Sequence, residues 1–143
     1  MSEPTADSSY TILSFTGKDV PPQYHSVILS NWLRTLRFGN PVFKQIDSFV
    51  FYKHYEFNLK RKLRDGSCIV RLAVLTEDND VVLGFSVHHK NVLDYISVKK
   101  NMRRNGIARA LLPQGIEKFT HFTKTGALIW QEKFKNWKFD PFA

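Results

Sequence analysis

VLDYISV (92–98) running into KKNMRRNGIARALL (99–112) is the stretch of this sequence on which the fold turns. The first seven residues read as an extended strand, alternating and rich in β-branched and aromatic side chains. The turn that follows holds Arg103, Arg104, Asn105, Gly106 and Ala108, and a helix starts at Ile107. A strand, turn and helix start of this kind build an anion site. The free N–H groups of the first helical turn point into the loop, the helix dipole adds partial positive charge, and arginines flank the opening. Gly106 lets the backbone come close to a phosphate, and Ala108 is too small to obstruct it. A pyrophosphate suits such a turn.

Outward from this point the sequence keeps a regular order. Two further extended segments lie upstream, at 68–75 and 81–88, with a turn at 77–80 and a short connection at His89-Lys90-Asn91. They form an antiparallel meander with 92–98. Before them, Val27, Ile28, Leu29, Trp32, Leu33 and Leu36 have helical spacing and stop near Phe38-Gly39-Asn40-Pro41. A second helix begins near Asp47 or Ser48 as cap and runs through Tyr52, Tyr55, Glu56, Leu59 and Leu63 to Asp65-Gly66. A weak strand at 10–15 opens the domain. Beyond the turn the pattern predicts a helix over 107–118, kinked or ended early by Pro113. A short strand at 120–123, a helix at 125–134 and an extended edge at 137–142 follow. Residues 1–9 read as a loose polar tail and 10–143 as one domain.

The spacing Arg103-x-x-Gly106-x-Ala108 after a strand resembles the acyl-CoA signature of the GNAT superfamily of N-acetyltransferases, [Q/R]-x-x-G-x-[G/A]. The wider chain is similar to small acetyltransferase-like proteins encoded by tailed bacteriophages. The matching pieces include SNWLRTLR (30–37), FYKHYEFNLKRKL (51–63), VVLGFSVHH (81–89), LDYISVKKNMRRNGIARALL (93–112), THFTKTG (120–126) and NWKFDPFA (136–143). The resemblance implies an α+β fold with a mixed, mostly antiparallel central sheet, helices on both faces and a splay between the fourth and fifth strands. It implies acetyl-CoA as co-substrate and direct transfer of acetyl to an amine in a ternary complex. Ile96 then offers its backbone N–H near the thioester carbonyl, and Val98 pairs with the pantetheine amides. The amides of Arg103, Arg104, Asn105, Gly106, Ile107, Ala108 and Arg109 cradle the pyrophosphate. One departure stands out. Many of these enzymes carry a tyrosine on the last helix to protonate the leaving thiolate, whereas TGALIWQEKF (125–134) has none.

Composition narrows the rest. At 143 residues, 43% hydrophobic with 12 Phe, the chain can bury a core without staples. The lone Cys68 can make no internal disulfide, fits a reducing cytoplasm and reads as a buried thiol rather than a nucleophile. No apolar run approaches a membrane span, and neither a signal peptide nor a P-loop is visible. The five His and one Cys lack zinc-type spacing, so no metal is expected. Net charge is +8. Lys99, Lys100, Arg103, Arg104 and Arg109 surround the anion turn. Lys53, Lys60, Arg61, Lys62 and Arg64 share the second helix and could be a solvated face, a nucleic-acid contact or a landing surface for an acidic host or virion protein.

Amine acetylation needs a base, because an alkyl amine is protonated at neutral pH. Asp94 is the first candidate, since regular alternation puts it on one sheet face with Ile96 and Val98; otherwise it is a hairpin residue facing solvent. His121 is the second; otherwise it is held structurally by Thr120 or Thr123. His88 and His89 read as ordinary hairpin residues. His54 and Tyr55 could line an acceptor groove or simply pack. Trp130, Trp137 and Phe139 read as closing the core or a partner surface. The alternative to an enzyme is a catalytically silent phage component of the same fold, binding a host or virion protein or nucleic acid through its basic surface.

Overall fold

A computed structural model describes residues 9–38, 41–65, 67–99, 102, 106–120 and 137–140. Its strands are β1 (Tyr10–Thr16), β2 (Ile69–Leu75), β3 (Asp78–His89), β4 (Val92–Val98), β5 (Lys118–Phe119) and β6 (Lys138–Phe139). They form one sheet in the order β1-β2-β3-β4-β5-β6. The first four are antiparallel, β5 lies parallel to β4, and β6 parallel to β5. Helices α1 (Pro22–Phe38), α2 (Pro41–Lys44) and α3 (Ser48–Arg64) connect β1 to β2, and α4 (Ile107–Leu111) lies on the crossover from β4 to β5.

Each element follows from local chemistry. Along α1, Tyr24, Ile28, Trp32, Leu33 and Leu36 are buried at helical spacing. Val27, counted with that apolar stripe in the sequence, is 39% exposed. α3 starts where predicted: the Asp47 carboxylate accepts from the N–H groups of Phe49 (3.1 Å) and Val50 (3.2 Å), satisfying two donors the helix cannot. It ends at Asp65, whose N–H donates to the Arg61 and Lys62 carbonyls. The β3–β4 hairpin turns on Lys90-Asn91, with Lys90 at φ 50. β3 begins at Asp78, earlier than the acidic run suggested. There Asp78 accepts from the Asp80 N–H, and the strand pairs on to Leu75.

The helix predicted over 107–118 is only five residues long. Pro113 crowds its predecessor out of helical space, and Leu112 accordingly lies extended at φ −79, ψ 125. Pairing begins at Lys118–Phe119, ahead of the strand expected at 120–123, of which 121–123 lie outside the described residues; within the edge expected at 137–142, Lys138–Phe139 pair. The helix predicted at 125–134, with Trp130, lies outside the described residues, as do residues 1–8 of the predicted tail.

Two cores flank the sheet. One face packs Trp32, Phe51, Leu59, Val70, Leu72, Phe85, Val87 and Tyr95 under α1 and α3, with Trp32 stacked on Tyr95 at 5.3 Å. The other packs Ala73, Leu83, Leu93, Ile96, Val98 and Met102 under α4, which contributes Ile107 and Leu111. Trp137 belongs to this second core. Phe139, 50% exposed, tilts its ring against Phe119 of the same core at 5.4 Å.

β4 is held tightly against β3. A Cβ at Gly84 would lie 2.7 Å from the Ser97 carbonyl oxygen across the ladder. Gly84→Ala is therefore expected to lower stability by roughly 1–3 kcal/mol, read as a drop in the urea midpoint. His88 offers a second test. Burial, with Arg71 nearby, holds its imidazole below the usual range, and its Nδ1 has no hydrogen-bond partner among the described residues. The unfolded chain then binds the proton more readily than the folded one. Stability should fall as pH drops below about 6.5. His88→Gln should flatten that part of the acid limb in urea titrations run across it.

Candidate functional site

β4 departs from regular alternation at one residue. Val87 pairs with Tyr95 and His88 with Leu93, so Asp94 is the extra residue of a β-bulge. Leu93 and Ile96, three apart, both pack in the α4-side core, while Tyr95 packs under α1 and α3. The parity that would group Asp94 with Ile96 and Val98 is broken. Asp94 turns toward α3 instead.

Nor does Asp94 face solvent. Its side chain is fully buried, and Lys62 of α3 donates to Oδ1 at 2.5 Å. The Thr120 hydroxyl donates to the same oxygen at 2.9 Å, and His89 Nδ1 lies 2.8 Å from Oδ2. A carboxylate paired with an ammonium group only accepts, so the His89 nitrogen facing it carries the proton. Sequence reasoning gives Lys62, His89 and Thr120 other roles and does not join them to Asp94. The hairpin register contained a signal: a two-residue turn after His89 brings Asp94 back beside it. The bulge that completes the contact has no signature in the residues themselves. Lys62 also leaves the basic face predicted for the second helix, because its ammonium is engaged inward. Lys53, Lys60, Arg61 and Arg64 remain exposed, with Lys60 paired to Glu56 at 2.9 Å.

The cluster stands where the described β4–β5 ladder stops. Val92 pairs with Lys118 and Leu93 with Phe119, and the Thr120 N–H donates to the Leu93 carbonyl at 3.1 Å. The predicted splay concerns chain beyond Thr120, including His121, which lies outside the described residues. Cys68 sits near this cluster, buried, with its thiol pushed up to about 12 chiefly by burial. That is an inert structural thiol. Among the described residues, no three metal-ligating side chains come together.

At the other end of β4, the Lys99 N–H donates to the Leu83 carbonyl and the Met102 N–H to the Lys99 carbonyl. Met102 is fully buried and pins the connection against the core. Arg103, Arg104 and Asn105 lie outside the described residues. Gly106 caps α4 at φ 89, a left-handed conformation that favours glycine, and among the described residues a Cβ there would meet only the Tyr10 hydroxyl at 3.9 Å. The first intrahelical bond runs from Ala110 to the Gly106 carbonyl, so the N–H groups of Ile107, Ala108 and Arg109 have no acceptor within the helix. Ile107 anchors the helix by its buried side chain, whereas Gly106 and Arg109 are exposed. Ile96 and Val98 bury their side chains in the same core, which leaves any outward role to their main chain.

No protein-family model matches the sequence, and no curated protein matches it. Solved structures do. A Pyrococcus furiosus protein assigned as an acetyl transferase aligns at TM-score 0.52 and 18% identity, over 92% of this chain and 80% of its own. A ribosomal-protein-alanine N-acetyltransferase from Brucella melitensis biovar Abortus 2308 aligns at 0.45 and 17%, over 92% and 77%. An aminoglycoside acetyltransferase from an uncultured soil metagenomic sample aligns at 0.49 and 18%, over 88% and 87%. The shared topology rests on the first of these. With its six-stranded mixed sheet, helices on both faces and short helix after the fourth strand, the chain has the GNAT fold.

Proposed function

We propose that this chain is an acetyl-CoA-dependent N-acetyltransferase of the phage-encoded type its sequence resembles, acting in the cytoplasm on an amine acceptor. The observation that carries the reading is the unit at the end of β4. In a GNAT sheet, the fourth strand is followed by a left-handed Gly106 and a short helix whose first amides lack internal partners. The residues there suit a diphosphate. Gly106 leaves the approach open, Ala108 is small, and exposed Arg109 supplies charge. Arg103, Arg104 and Asn105 complete the predicted cradle, with main-chain N–H groups through Arg109.

Acetyl-CoA brings a thioester already activated for attack, so the protein's work is placement and proton removal. Ile96 and Val98, anchored through their side chains, offer main chain along β4 to the pantetheine arm and thioester carbonyl. The acceptor amine is placed for direct attack in a ternary complex. Asp94 and His121 are the two predicted bases. Full burial and the pairing with Lys62 keep the Asp94 carboxylate from meeting an amine itself, so Asp94 serves through what it holds. The exposed cations of α3, Lys53, Lys60, Arg61 and Arg64, suit an acidic acceptor, a host or virion protein, or a nucleic acid.

Acetyl-CoA at 100 times its Kd is expected to stabilise the protein by about 2.7 kcal/mol, seen as a raised Tm. Gly106→Glu, folded by circular dichroism, should bind coenzyme A at least about tenfold more weakly. Thiol release should follow addition of a suitable amine. No thermal shift with acetyl-CoA would favour the catalytically silent binding component.

A further inference from the structure

We infer that His89 is the general base of this site and that Asp94 is its positioning residue, a reading that rests on the proposed acetyl transfer. The arrangement is specific. Asp94 is buried, and its Oδ1 accepts from Lys62 and Thr120 while Oδ2 faces His89 Nδ1 at 2.8 Å. The carboxylate therefore holds the proton on Nδ1 and leaves the lone pair of the neutral imidazole on Nε2. Among the described residues nothing bonds Nε2, and the imidazole keeps 21% of its surface exposed. A buried acid thus orients a partly exposed base.

The position suits the task. Asp94 is the bulge residue at the point where the described β4–β5 ladder stops, four residues from Val98. That places it about 13 Å along the strand from the end that leads into the anion turn. The two ends of one strand then carry the two halves of the chemistry, with His89 on the α3 face and α4 on the opposite one. The charged and titratable groups that face His89 are Asp94 on β4, Asp65 at the end of α3 and His88 on β3, with Lys62 of α3 on the far oxygen of Asp94. Lys62 is satisfied by Asp94, and the Asp65 carboxylate accepts from the Ser67 N–H at 3.0 Å. Neither is left to compete for Nε2.

The step balances. Nε2 takes a proton from the acceptor ammonium, freeing the nitrogen lone pair. That pair forms the new C–N bond at the thioester carbonyl carbon as the C–S bond breaks. The sulfur leaves with the bonding pair and takes up one proton from solvent, the second amine proton passes to solvent, and the His89 imidazolium returns its proton to solvent. An ammonium and a thioester become an amide, a thiol and one released proton.

The experiment compares wild type, His89→Gln and Asp94→Asn with two acceptors, ethanolamine and hydroxylamine. The first is protonated at neutral pH and needs a base, whereas the second is already neutral and does not. With ethanolamine, kcat/KM should fall about 10²- to 10⁴-fold in His89→Gln. With hydroxylamine, corrected for its spontaneous reaction, the fall should be under about threefold, and coenzyme A affinity should hold. Equal losses with both acceptors, or none with ethanolamine, would overturn the assignment. A second readout needs no turnover. ¹⁵N-resolved imidazole spectra at about pH 8 should show His89 as the Nδ1–H tautomer in wild type and lose that preference in Asp94→Asn. The opposite tautomer in wild type would sink the dyad. Absent coenzyme A binding beside a correct tautomer would count against the acetyltransferase reading alone.

Discussion

A buried carboxylate has to be satisfied, and in this protein that requirement ties four elements together. Asp94 draws Lys62 from α3, His89 from the end of β3 and Thr120 from the end of β5 onto one bulged residue of β4. Leaving such a charge uncompensated in the interior costs several kcal/mol, so these partners are coupled rather than incidental. The α3 terminus, the β3–β4 hairpin and the parallel strand β5 are thereby brought to one point. Their relative positions are a consequence of where Asp94 sits.

The bulge also divides the labour of β4. Without it, Asp94 would share a face with Ile96 and Val98, and the carboxylate would lie in the apolar core beneath α4. With it, Ile96 and Val98 remain packed under α4, and the polar group moves to the α3 side near solvent. One strand can then carry a main-chain surface leading to the anion turn and, on its other face, a hydrogen-bonded acid and imidazole. Apolar packing on both sides fixes the strand. The Trp32–Tyr95 stack holds it from the α1 side, and Ile107 and Leu111 hold it from the α4 side.

Legibility in the sequence followed the range of the interactions. α1, α3 and the strands were readable because their signals lie within a few residues: apolar spacing, the Asp47 cap, the Lys90-Asn91 turn. The helix start at Ile107 was readable for the same reason, whereas the left-handed conformation of Gly106 before it came only with the structure. Boundaries set by distant partners were less so. Pro113 announced an end to α4 without fixing that the chain leaves helix at Leu112, and the pairing of Lys118 and Phe119 answers to β4 rather than to local sequence. Among candidate site residues, Asp94 lies in a cluster that local alternation does not predict. Alternation is a local rule, and a bulge overrides it through pairing with another strand.

By itself, then, the sequence determined the order of α1, α3 and strands β1 to β4 and the helix start at Ile107, because covalent geometry and periodicity act over short spans. Only the tertiary structure decided that Lys62 turns inward from a basic helix, that His89 leaves the class of ordinary hairpin residues, and that both meet Asp94. The reason is physical. A buried charge is stabilised by whichever donors the packed elements bring within about 3 Å, and no spacing along the chain encodes that meeting.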